Sequence, residues 1–74
     1  MDQKPLEFIR LLLARLERIS VDSYWAHRAS GVRGQLLRML EEMEAGKFVN
    51  SQTIRQSYES AIHILIQAAR EKYR

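Results

Sequence analysis

Cysteine is absent from this chain. Neither a disulfide staple nor a thiolate metal site is therefore available to it. Proline occurs once, as Pro5, and glycine only at Gly31, Gly34 and Gly46. So few breakers leave room for long regular segments. Long apolar runs are also missing. The longest are Leu11-Leu12-Leu13-Ala14 and Ile64-Leu65-Ile66, far short of the roughly 18 residues that span a bilayer. Asp2, Lys4, Glu7 and Arg10 place charge where a secretory leader is apolar. The expectation is a cytoplasmic protein with no membrane association.

A strong excess of one charge is lacking as well. Twelve Lys and Arg against nine Asp and Glu leave a net charge of +3, weaker than the basic stripe of a dedicated nucleic-acid binder. Acidic and basic residues interleave, as in Glu7 with Arg10 and Glu17 with Arg18. That pattern reads as a solvated mixed surface. What is present is a 46% hydrophobic, 28% charged composition over 74 residues, which suits one small globular domain, residues 1–74. A chain of this size buries only about 60% of its unfolded surface. Good helix packing or self-association must supply its stability.

Apolar periodicity predicts three helices, at about 5–19, 21–45 and 51–72. Pro5 suits a first turn, with Asp2 as a candidate cap. Ile9, Leu12, Leu13, Leu16 and Ile19 form one face of helix one, widened by Leu6 and Phe8; Leu11 lies outside it among arginines. Ser20 and Asp22 are candidate caps for helix two, and Gly46 suits its left-handed end. Glu41, Glu42 and Glu44 sit at the C-terminal end of that helix, against its dipole. Asn50 caps helix three, with Val49 and Ile54 as a hydrophobic staple. Ile54, Tyr58, Ala61, Ile62, Leu65, Ala68 and Ala69 make its main stripe. Ile64 and Ile66 widen that arc beyond what one neighbour covers. Short connections make the helices antiparallel neighbours. The fold class expected is all-α, a small antiparallel three-helix bundle. The alternative is four shorter helices with a break near Ser30–Gly34.

Helix two carries the most informative pattern. At about 100° per residue, Trp25, Ala29, Val32, Leu36, Met39, Leu40 and Met43 share an arc of roughly 100°. The stripe keeps its phase across Gly31 and Gly34, which favours one continuous helix. His27, Ser30, Gly31, Gly34 and Arg38 fall on the far side. A glycine in a helix interior costs roughly 1 kcal/mol relative to alanine. Ala26, Ser30 and Gly34 recur every four residues as a strip of small side chains, with Gly31 beside it and Leu37 and Glu41 extending it. Such a strip admits the close approach of another backbone. Arg28, Arg33 and Arg38 flank it and suit carboxylates or phosphates.

Catalytic and metal chemistry find little support in the residue pattern. Asp22, Ser23 and His27 have the residue types of a hydrolase triad, with Ser23 and His27 four apart on the predicted helix. A triad also needs a cleft, an oxyanion hole and an oriented base. His27 and His63 lack a recognised zinc spacing. Gly31-Val32-Arg33-Gly34 does not match a phosphate-loop pattern. The sequence points to no enzyme, cofactor or metal. It points to a non-enzymatic protein–protein interaction module: an adaptor, a regulatory subunit or a self-assembling domain. Its contact residues are Ala26, His27, Ser30, Gly31, Arg33, Gly34 and Arg38. The partner is another protein or a second copy. The alternative is a small basic nucleic-acid-binding regulator.

Overall fold

The computed structural model describes residues 4–72. Three helices follow one another: α1 (Lys4–Glu17), α2 (Ala26–Glu44) and α3 (Ser51–Lys72). They form a three-helix bundle, elongated to 41 × 19 × 18 Å. Asp2, the candidate cap of the first helix, lies outside the described residues. Phe8 meets Tyr58 edge-on at 4.8 Å. Arg15, in the C-terminal half of α1, and Ile19, just beyond its end, lie beside Ala68, Ala69 and Lys72. The first and third helices therefore run parallel, with α2 antiparallel to both.

The core is aliphatic. Ile9, Leu12, Leu13 and Leu16 of α1 meet Ala29, Leu36, Met39 and Leu40 of α2. Ile9 and Leu36 are completely buried. Trp25, Val32 and Met43 pack against this cluster, so the whole predicted stripe of helix two faces inward. Gly31 and Gly34 both lie within α2, which continues unbroken to Glu44. The four-helix alternative is not realised.

The boundaries of helix two are corrected at its start. It begins at Ala26, not near Val21, and α1 ends at Glu17 rather than Ile19. The intervening residues form turns. Local hydroxyls compete with the helix there. Ser20 Oγ accepts the Asp22 amide at 3.2 Å, and Ser23 Oγ accepts the Trp25 amide at 3.1 Å. Val21 is 91% exposed, so no burial rewards a longer helix. Trp25 is the N-cap residue and makes no side-chain capping bond. Neither Ser20 nor Asp22 caps α2.

The other helix ends follow the residues expected of them. Gly46 has φ +77°, a conformation that glycine adopts without a Cβ penalty. Its amide donates to the Met43 carbonyl and the Lys47 amide to the Glu42 carbonyl, the paired bonds of a Schellman ending. Asn50 Oδ1 accepts the Gln52 amide at 2.7 Å, and Val49 and Ile54 both pack on the core. Arg10 pairs with Glu44 across α1 and α2. That contact places a cation beside one of the three glutamates that oppose the helix dipole.

The third helix is rotated from its predicted phase. Its buried residues are Ser57, Ala61 and Ile64. Ile62 and Ala69, predicted to face inward, are exposed, while Ile64 is the one that is buried. Small residues at Ser57 and Ala61 let α3 approach the large side chains of α1 and α2. The Ser57 hydroxyl is buried without a hydrogen-bond partner, and an orphaned buried hydroxyl is costly. Ser57→Ala keeps the close approach and removes the orphan. Stability measured by urea denaturation should rise by about 1 kcal/mol. A loss of stability would mean that the hydroxyl has a partner in solution.

Candidate protein-interaction surfaces

The outer face of α2 is built by the phase of its core stripe. With Leu36 and Met39 inward, His27, Ser30, Gly31, Arg33, Gly34 and Arg38 are all exposed, and Ala26 is half-buried. The structure thus brings the seven residues to one helix, six of them open to solvent. A Cβ added at Gly31 or Gly34 would meet nothing within 4 Å. Nothing in the fold itself requires glycine there. Leu37, which extends the strip, is 46% exposed.

The N-terminal end of this face is anchored through Trp25. Arg28 lies over its ring, 5.4 Å from the centroid, a cation–π geometry. Tyr24 and His63 meet the indole edge-on at 5.4 and 5.8 Å. The Tyr24 amide donates to Glu71 Oε1 at 3.3 Å. The turn before α2 is therefore tied to the C-terminal half of α3, and Arg28 is held over the indole beside the strip.

The residue types of a hydrolase triad do not assemble. Ser23 lies in the turn before α2, not on the helix with His27, so the four-residue helical relation between them is lost. Ser23 Oγ instead accepts a backbone amide. Among the described residues, no three His, Cys, Asp or Glu side chains gather as a metal site. No helix of the described residues is long and apolar enough to cross a membrane.

A second surface lies between α1 and α3. An open groove of about 720 Å³ runs there, floored by Leu12, Ile19, Leu65 and Ala68 and edged by Leu11 and Arg15. Leu11 is 50% exposed. Leu65 and Ala69 border the groove, and Ile62 and Ile66 lie next to them at three- and four-residue helical spacings. The groove between α2 and α3 has Arg28, Gly31, Val32, Glu59, His63 and Ile64 along it, so Gly31 stands at its edge. Sequence periodicity located the surplus apolar residues of both helices. It did not show that they converge on one face, because that depends on how α1 and α3 are rotated against each other.

Tyr58 sits at one end of this face, half-buried against Phe8. Burial raises its phenol pKa above 10, because the charged form is poorly solvated there. Comparison with protein-family models, with curated proteins and with solved structures returns no match.

Two outcomes follow from this geometry. Gly31→Ala and Gly34→Ala should each stabilise the protein by about 1 kcal/mol in urea melts, since the added methyl enters open space. Unchanged or lower stability would show that the glycines serve the fold. The raised Tyr58 pKa favours the protonated phenol in the folded state. Its contribution is complete below pH 10 and declines as pH rises through the raised value. In alkaline thermal melts, Tyr58→Phe should therefore lose less stability than wild type above pH 10. Parallel curves would show that the phenol is solvated alike in both states.

Proposed function

We propose that this protein is a non-enzymatic interaction module that presents the outer face of α2 to a protein partner. One observation carries the reading. Two glycines lie inside a continuous helix, exposed, with empty space where their side chains would be. Each costs helix stability, and no internal contact accounts for either. Contact with another molecule does account for them, because a side-chain-poor surface lets a second backbone come close. Ala26, Ser30, Gly31 and Gly34 supply that approach. His27, Arg33 and Arg38 border it and supply charge and orientation. As an adaptor or regulatory subunit, the chain would act by docking.

Gly34→Leu tests this reading directly. The side chain has room outside the fold, so helix content by circular dichroism should hold or rise. A protein captured by the wild type, then purified, should bind Gly34→Leu at least about tenfold more weakly in calorimetry, since bulk at a tight contact disrupts it. Equal affinity for both forms would remove the α2 face as the site. Anisotropy titration with duplex DNA at two salt concentrations checks the nucleic-acid alternative. Tight binding that falls steeply with salt would favour that alternative.

A further inference from the structure

The charges of α2 run against its own dipole at both ends. From Ala26 to Leu40 the helix carries Arg28, Arg33 and Arg38 and no acid; Glu41, Glu42 and Glu44 then crowd its last turn. Its first turn has no acidic residue and its last turn no basic one. Cations at the N-terminal end and anions at the C-terminal end both oppose the dipole. Arg10 of α1 answers Glu44, and Lys47 stands past the helix end. Arg28 is committed to the indole of Trp25, in the α2–α3 groove. The exposed His27, Arg38 and Glu41 make no ion pair or hydrogen bond among the described residues. With Gly34 they form the outermost line of the helix. At about 100° per residue, His27 and Glu41 stand within about 20° of Gly34 and Arg38 within about 40°, whereas Arg33 lies about 100° away. His27 is seven residues before Gly34 and Glu41 seven after it.

We propose that the partner of the α2 face is a second copy of this chain, packed α2 against α2 in antiparallel sense with a two-fold axis at Gly34. The self-pairing rests on the reading given under the proposed function, because it uses the same face. The two Gly34 backbones meet at the axis, where a side chain would hold the helices apart. Positions equally far from Gly34 along its line face one another, so Glu41 meets His27 of the second copy. The contact occurs twice, as a closed two-fold interface requires. An imidazole carries an N–H for the carboxylate in either charge state. Glu41 also reaches the N-terminal end of the facing helix, where an anion is favoured. Arg38 crosses that helix near Ser30 and Gly31, whose small size leaves room for the guanidinium. The other two-fold arrangement sets α2 beside α2 in parallel, which puts Arg38 beside Arg38 and Glu41 beside Glu41. The antiparallel one parts those like charges by about 12 and 21 Å along the helix, at about 1.5 Å per residue. The charge order therefore selects both the occupant and its direction. One helix from each copy covers less than the roughly 1,200 Å² of stable complexes, so the association is a weak one.

Sedimentation equilibrium from micromolar to millimolar concentration tests it, with circular dichroism confirming that each variant stays folded. Wild type should move from the 8.7 kDa chain mass toward twice that value as concentration rises. Gly34→Leu should weaken association by at least about tenfold. His27→Glu should weaken it by about tenfold, because two pairs of glutamates then face each other. Adding Glu41→Lys to His27→Glu should restore it. Leu11→Gln, on α1, should leave the dimer intact. A wild type that stays monomeric throughout would overturn the self-pairing and leave the α2 reading to its calorimetric test. A dimer indifferent to Gly34→Leu or to His27→Glu would overturn it too, as would one dissociated by Leu11→Gln.

Discussion

The rotation of α3 against the other two helices rests on a difference in side-chain size. Large residues of α1 and α2, notably Ile9, Leu12, Leu36 and Met39, fill the centre. Ser57 and Ala61 leave space for them by being small. Close packing at native density is possible only when bulk on one helix meets a gap on the next. That match sets the rotation of α3. The rotation in turn decides which of its apolar residues reach solvent. The exposed isoleucines, the groove beside α1 and the orphaned Ser57 hydroxyl all follow from the same fit.

The α2 face has a different origin. Its inner stripe is regular and well buried, so the outward direction of the remaining residues is settled by helical geometry. Trp25 then holds the N-terminal end in place through Tyr24, Arg28 and His63. With Ser30, Gly31 and Gly34 along it, the outer edge has few side-chain rotamers to immobilise. The α1–α3 side carries half-exposed Leu11, Ile62 and Ile66 beside an open groove. The two faces offer different chemistry on one small bundle.

Local signals made much of the architecture legible. The stripe from Trp25 to Met43 keeps one phase for nearly five turns, and it faces the core as its spacing requires. Gly46 and Asn50 were legible as helix ends because each acts through its own backbone or side chain within a few residues. The start of α2 was not. Ser20 and Ser23 have the chemistry of caps, yet their hydroxyls hold a series of turns instead. Both uses satisfy a nearby amide, so residue type alone does not separate them. Exposure of Val21 and Tyr24, a tertiary fact, does. The candidate α2 face was legible almost entirely, since its residues share one helix.

Taken alone, the amino-acid order determined the three helices, their approximate lengths and the outward edge of α2. These depend on backbone propensities and on spacing within one segment, which are local properties. Tertiary packing decided the rest. It chose Ile64 over Ile62 for the core and brought Leu11 and Leu65 to one groove. No spacing within a single helix encodes its rotation against another. That angle is a compromise among side chains contributed by all three, and it exists only once they meet.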